Sequence, residues 1–443
     1  MVDDDLWKTE RPLRREMKVL YLAPPSPSAT GAFADTFIEE EAHALRAAGV
    51  QVYALATHGE DRDVQGLRVR VLPPGRLLSE RIHTPGFLLS HRAAFPSRMS
   101  MRDWVRAYHI ARIERFAARL VRDEGITLIH SHFGYPAGVG GAIVAAETAR
   151  PLIATFRGMD LELYAELEQY GLRLDPFIEH SILHLLRSAE RTTYFSKYMR
   201  TIGVALGADP SAAVTIFKGV HLDHFAPVSD RVALRSRLGI QAPMILSVGG
   251  LEKRKGIHYV LEALATLRST HDFTYVIVGD GEESQNLQTL ARQLELGDRV
   301  VFCGRLGRAE IPQYFSACDM FILGSLTEAA GNVVLEAMSS GRPVICTDSG
   351  GPPEYVRHEC TGFVVPVGDV QAMARCVRLF LEKPQLADSL GEAGRARMVE
   401  GFGYSRMIGT ILALYEDVVR VKRLVRDASP RHSGHAVGVV RDK

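Results

Sequence analysis

The chain has 443 residues, 46% of them hydrophobic and 24% charged, with a formal net charge of +1. This length predicts two or three domains with ample core, and the balanced charge excludes a whole-molecule electrostatic nucleic-acid binder. Five cysteines without a CxxC pair argue against a disulfide frame or a zinc cage, and the polar start MVDDDLWKTERPLRRE and the lack of any long apolar run argue against a secretory signal or a membrane span.

In the first half, short apolar runs predict strands at KVLYLA (18–23), QVYALAT (51–57), TLIHSH (127–132), PLIATF (151–156), RTTYF (191–195) and AVTIF (213–217). Helical patterns fall between them, as over Phe33 to Ala48 and Asp103 to Asp123. The Asp61-x-Asp63 pair in HGEDRDVQG reads as a solvated loop in preference to a metal site. His130 and His132, two apart at a strand end, share a face. They could form a metal pair, line a cleft or simply pack; no further ligand set follows from the sequence.

The second half repeats the alternation at MILSVG (244–249), FTYVIVG (273–279), RVVFCG (299–304), DMFILG (319–324), RPVICT (342–347) and GFVVP (362–366). Near-continuous apolar strands alternating with helices predict parallel sheets buried on both faces, here as two doubly wound α/β domains. The polar stretch 224–242 reads as the boundary. A last amphipathic helix spans roughly Tyr404 to Val421, and the sequence from Leu424 onward reads as a disordered tail.

In such domains ligands bind beyond the carboxyl ends of the strands, so the loops that follow strands carry the chemistry. The GLEKRKG turn (250–256) sets Lys253, Arg254 and Lys255 before a helix start at Ile257, a combination suited to a phosphate or diphosphate. It is not a Walker A loop. The DGEES turn (280–284) lacks the third glycine of a dinucleotide fingerprint. LTEAAGNVVLEAMSSG (326–341) carries Glu328 just before a helix and Glu336 within its first two turns, with Asn332 as the expected N-cap. Val333, Val334, Ala337 and Met338 supply that helix's apolar face. In DSGGPPEYV (348–356), Gly350 and Gly351 would allow a ligand close backbone approach.

The succession SVGGLEKRKG, VGDGEE, the Glu328-x7-Glu336 element and EAMSSGRPVICTDSGGPPE resembles the family 4 retaining glycosyltransferases. SPSATGAFADTFIEEEAHALRAAG (26–49) is similar to the opening of exopolysaccharide or colanic-acid-type members. The resemblance implies the GT-B architecture: two Rossmann-like domains, 17–225 for the acceptor and 240–402 for the donor. A helix at 403–423 would cross back to the first domain. It further implies that Glu328 reaches the donor sugar, that Glu336 accepts from the ribose hydroxyls, and that Lys255 neutralises the departing diphosphate. Amides at Gly331 and Asn332 would meet the diphosphate and sugar, with Gly249, Gly250, Arg254 and Val333 completing the donor site. His132 and Arg157 would face the reacting sugar from the other domain. No metal and no cofactor beyond the nucleotide-diphosphate sugar is implied. The sequence departs from the family pattern at Gly250 (usually arginine), at Glu-Ala-Ala-Gly (328–331), at Lys218-Gly219-Val220-His221 (commonly Asn-Gly-Val-Asp) and at Arg157 (commonly histidine). A guanidinium at position 157 could favour an anionic donor or acceptor.

Residues 68–122 hold twelve arginines and no lysine against three acids, interleaved with Leu77, Leu78, Phe87, Leu88, Leu89, Phe95 and Trp104. Besides a plain solvated face, this composition suits an anionic membrane surface or a lipid-pyrophosphate acceptor. The expectation is therefore a cytoplasmic transferase, peripheral to the inner face of the plasma membrane, that moves a sugar to a polysaccharide or glycolipid precursor. Two alternatives stay open: an isomerase or phosphorylase of the same fold without a lipid acceptor, and a nucleotide-sugar-binding subunit without catalysis.

Overall fold

All twelve apolar runs form strands, because each is long enough to cross a sheet and apolar enough to be covered on both faces. In the first sheet they are β1 (Lys18–Leu22), β2 (Gln51–Ala56), β5 (Leu128–His132), β6 (Leu152–Phe156), β7 (Arg191–Tyr194) and β8 (Ala213–Thr215), joined by β3 (Arg62–Val64) and β4 (Leu67–Val71). The order is β3-β4-β2-β1-β5-β6-β7-β8, parallel except for the β3–β4 pair. The second sheet, wholly parallel, contains β9 (Met244–Val248), β10 (Thr274–Val278), β11 (Val300–Gly304), β12 (Met320–Leu323), β13 (Val344–Thr347) and β14 (Gly362–Val365) in the order β11-β10-β9-β12-β13-β14. The structure, a computed structural model, describes residues 12–23, 36–56, 61–64, 66–72, 84–162, 171–240 and 242–428.

Each sheet lies between two apolar layers. Helix Met101–Glu124, opened by a Ser100–Asp103 capping box, buries Ile110, Ile113 and Val121 on one face of the first sheet. On the other face, Ile38 and Leu45 of helix Thr36–Ala47 pack with Ile408, Ile411, Leu412 and Tyr415 of the last helix. The last helix thus follows the second sheet in sequence but completes the core of the first.

Two readings need correction, the Asp61–Asp63 loop and the tail from Leu424. The Asp61–Asp63 stretch is not wholly loop: Arg62–Val64 is an edge strand, and Asp61 accepts the Val71 amide at 2.7 Å. The stretch 224–242, read as the boundary, stands between the two sheets and holds a short helix, Arg231–Arg237. The last helix continues to Ala428, through the start of the expected tail, and residues 429–443 lie outside the described residues. So do residues 24–35, within the exopolysaccharide-type opening, and residues 73–83, with Leu77 and Leu78.

Candidate active site

In the second sheet the strand order reverses between β9 and β12, and a crevice opens at such a switch point beyond the carboxyl ends of the strands. The loops after these two strands meet there. Leu326 N–H donates to Arg254 O at 2.7 Å, and Gly256, with φ of 60°, packs so closely on Gly324 that a Cβ would overlap its carbonyl oxygen. This contact brings Lys255 Nζ to 2.5 Å from Glu328 Oε2, both side chains about nine-tenths covered. Burial pushes the Glu328 carboxyl up, but Lys255, Arg254 and the Gly331 amide outweigh it and hold the group below its ordinary value. Arg254 Nε also donates to Glu252 Oε2 at 2.6 Å, and the Glu252 carboxylate in turn lies against Gly250.

Helix Asn332–Ser339 starts differently from the sequence expectation. Gly331, with φ of 76°, occupies the cap position, Asn332 is the first helical residue, and no side chain caps the helix. The left-handed conformation that turns the chain into this helix favours glycine, which displaces asparagine from the cap. Val333 is only half-buried, whereas Val334, Ala337 and Met338 are buried. Gly350 and Gly351 also have another use: added Cβ atoms would meet Glu328 O and Ala329 O, and Gly351 N–H donates to Glu328 O at 2.8 Å. They hold the loop that carries Glu328. The DGEES turn is engaged likewise, Leu251 N–H donating to Asp280 O at 3.0 Å.

Glu336 faces a cavity between the two sheets. Arg308, Asn332 and Glu336 line one side; Phe37, Glu40, Lys218 and His221 line the other, with Tyr404 of the last helix. Arg308 closes it by a two-pronged ion pair to Glu40, with Nη2 at 2.8 Å from Oε2, and lies over the Phe37 ring. Burial raises the Glu336 carboxyl to about 7 against the pull of Arg308. Glu40 behaves oppositely: burial is outweighed by His221 and Arg308, leaving it at about 2. Further links join the two halves, Ser196 Oγ to Ala329 O at 2.6 Å, Thr327 Oγ1 to Glu162 Oε1 at 2.9 Å, and the Lys197 and Tyr198 amides to Glu354, each at 2.8 Å.

On the first sheet, His132 ends β5 and Arg157 follows β6. Their loops share one buried carboxylate, Asp160, which accepts from the amides of Gly134 (2.9 Å), Gly158 (3.0 Å) and Arg157 (3.1 Å). Between His132 and Gly134, Phe133 adopts φ of 68° and ψ of 147°, a sparsely populated conformation of the kind that clusters at functional sites. Arg157 donates from Nη2 to His132 Nδ1 at 3.1 Å, lies over the Phe133 and Phe195 rings, and sits 4.0 Å from Glu41 Oε2. Its charge is therefore partly offset within the protein, which weakens the expectation of an anionic substrate.

His130 and His132 do share a face, with ring centroids 4.2 Å apart, and with Glu41 they offer ligand atoms within 4.8 Å of one another. The donor set fits a metal poorly. His130 spends both nitrogens, on Tyr415 OH at 2.5 Å and Thr155 Oγ1 at 2.7 Å, and the Arg157 guanidinium adjoins the group. Sequence reasoning overlooked Glu41, Glu40 and Arg308. Glu41 left a usable sign, a carboxylate on the buried stripe formed by Ile38, Ala42 and Leu45; Arg308 left none.

Comparison with known proteins bears on the family and the fold. Residues 34–224 match the model "Glycosyltransferase Family 4" and residues 231–397 the model "Glycosyl transferases group 1". The GDP-mannose-dependent alpha-(1-6)-phosphatidylinositol monomannoside mannosyltransferase of Mycolicibacterium smegmatis is 31% identical over 62% of this chain and 73% of its own length. The lipopolysaccharide core biosynthesis glycosyltransferase LpsE of Rhizobium meliloti is 34% identical over 39% of this chain and 49% of its own. Among solved structures, sucrose-phosphate synthase from Thermosynechococcus elongatus superimposes with a TM-score of 0.75 at 22% identity, covering 91% of this chain and 100% of that one. Anabaena HepE, solved in complex with UDP, gives 0.69 at 22% identity over 90% and 100%. The two sheets have the GT-B arrangement, and the chain belongs to the family 4, group 1 glycosyltransferases.

Proposed function

We propose that this glycosyltransferase takes a nucleotide-diphosphate sugar at the β9–β12 crevice and transfers the sugar with retention to a polysaccharide or glycolipid precursor. The observation that carries the reading is the Lys255–Glu328 contact at 2.5 Å, beside the Gly331 amide that opens helix Asn332–Ser339, which also carries Glu336. In this reading Glu336 accepts from the ribose hydroxyls, and Lys255 with the Gly331 and Asn332 amides faces the diphosphate, where charge develops as it leaves. Gly249, Gly250, Arg254 and Val333 border the donor, Glu328 meets its sugar, and His132 and Arg157 face the sugar across the cleft. The bond from the anomeric carbon to the diphosphate oxygen breaks, the acceptor hydroxyl oxygen bonds to the same face, and its proton passes to the departing diphosphate. Lysine, arginine and amides supply the positive charge that this step requires, so no metal is assigned.

Three further points support the donor and acceptor classes. Relatives are named for a GDP-sugar and for lipopolysaccharide synthesis, and HepE was solved with UDP-glucose. Met101 is 83% exposed and Leu89 76%, beside exposed Trp104, Val105, Arg92, Arg98 and Arg102, a mixed apolar and cationic surface suited to an anionic lipid headgroup. No helix among the described residues is long and apolar enough to cross a membrane, so contact with lipid would be peripheral. The test is transfer from UDP-, GDP- and ADP-linked sugars to a polyprenyl-diphosphate-linked sugar, with the product's anomeric configuration read by NMR. An anomer matching the donor is expected. An inverted product overturns retention, and transfer to phosphate alone returns the phosphorylase reading.

A further inference from the structure

We propose that Glu41 is a positioning residue of the transfer site: it holds His132 as the neutral tautomer protonated on Nε2 and thereby directs the Arg157 guanidinium into the cleft. The inference rests on the reading above in one respect only, that His132 and Arg157 face the transferred sugar.

The tautomer follows from donor and acceptor chemistry. A guanidinium can only donate hydrogen bonds. Arg157 Nη2 lies 3.1 Å from His132 Nδ1, so Nδ1 must accept and cannot carry the proton. Burial, then His130, Arg157 and Lys218, hold the ring far below its ordinary pKa, so it carries a single proton. That proton is on Nε2, a buried atom with no hydrogen-bond partner, which faces Glu41 Oε1 at 3.6 Å. An unpartnered buried donor costs about 1–3 kcal/mol, and contacts in an empty site tighten when substrate closes it. The same carboxylate lies 4.0 Å from Arg157, so one group restrains both residues.

A chain of hydroxyls shows what fixes Glu41 itself. Tyr21 OH donates to Glu41 Oε1 at 2.7 Å, and Tyr415 OH lies 3.1 Å from Tyr21 OH. His130 then joins Tyr415 to Thr155 Oγ1, which meets Thr193 Oγ1 at 2.6 Å. Burial pushes the Glu41 carboxyl up, against the pull of Arg157, the Tyr21 hydroxyl and Lys218; with Tyr21 donating to it as a carboxylate, one arrangement places a proton in every contact: Thr193 donates to Thr155, Thr155 to His130 Nε2, His130 Nδ1–H to Tyr415, Tyr415 to Tyr21, and Tyr21 to Glu41. Every donor points toward the carboxylate, and networks of this kind are worth more complete than in parts. Tyr415 comes from the last helix, so the segment that crosses back to the first sheet also braces the reaction centre.

The proposal is tested first without any substrate. The full chain is labelled with ¹⁵N-histidine, and the tautomer of His132 is read by solid-state NMR at neutral pH, its signals assigned by their loss in His132→Gln. Protonated Nε2 with bare Nδ1 is expected. A proton on Nδ1, which leaves Nε2 bare, or an imidazolium overturns the proposal. In the second arm, Glu41→Gln is assayed with the donor selected by nucleotide titration. Loss of orientation should lower kcat about 100-fold and leave the donor KM within about 2-fold. An unchanged kcat in folded Glu41→Gln also overturns it. A wild-type chain that transfers no sugar would count against the proposed function, and the tautomer would still decide whether Nδ1 is free to accept from Arg157, as the role of Glu41 requires.

Discussion

Replacing Glu336 by glutamine removes a charge that the empty protein holds at a penalty. Burial raises this carboxyl from 4.5 to about 7 in the folded chain. At 1.36 kcal/mol per pK unit, a shift of that size is on the order of 3 kcal/mol. Its sign is fixed by linkage. The folded-state value is the higher one, so between about 4.5 and about 7 the folded state keeps a proton that the unfolded state releases. Stability falls as pH rises through that window, and the penalty is complete above it. Glutamine is neutral throughout. Glu336→Gln and wild type should therefore melt nearly together near pH ~4, below the window, and the variant should be the more stable near pH ~8.5, by at most about 3 kcal/mol or roughly 6–12 °C for a domain of this size. Nucleotide binding should move oppositely, because ribose hydroxyls donate more strongly to a carboxylate than to a carboxylic acid. Wild-type affinity should increase as pH rises through about 7, and the variant's should be weak and flat. Thermal melts and calorimetric titrations at the two pH values check both. A stability difference equal at both, or a wild type more stable at the higher pH, refutes the reasoning.

Lys255→Ala should lower transfer by about 10²–10³-fold, the range for removing one preorganised group from a developing oxyanion, read as kcat/KM for the donor; an undiminished rate would move the diphosphate elsewhere. Arg308→Ala breaks the ion pair to Glu40, whose side chains are 42% and 35% exposed. Such a pair is worth under about 1 kcal/mol, so the melting temperature should barely change while the two halves separate more, which small-angle scattering would detect. Asp160→Ala leaves three amides unsatisfied and should cost about 3 kcal/mol or more, seen as a lower urea midpoint; Asp160→Asn should cost less.

The sequence made legible what depends on local pattern. Strands such as TYVIV and MFIL are continuous apolar runs, and the parallel sheets follow from their alternation with helices. LRVRV (67–71) escaped notice because arginines alternate with its apolar residues, as suits a strand near a sheet edge. The meeting of Lys255 and Glu328 was foreseeable because each follows a strand on one side of the switch point. The cap at Gly331 was misread because asparagine and glycine compete for that position, and only the backbone conformation decides. Glu40, Arg308 and Tyr415 were beyond reach, since their partners are 268, 268 and 285 residues away in the chain.

The central claim is that the β9–β12 crevice holds a nucleotide diphosphate. Calorimetric titration of UDP, GDP and ADP against wild type, Lys255→Ala and Glu336→Ala tests it most directly. The account predicts tight binding of one nucleotide, weakened by both substitutions. A folded wild type that binds none of the three, or binding that neither substitution weakens, would contradict it.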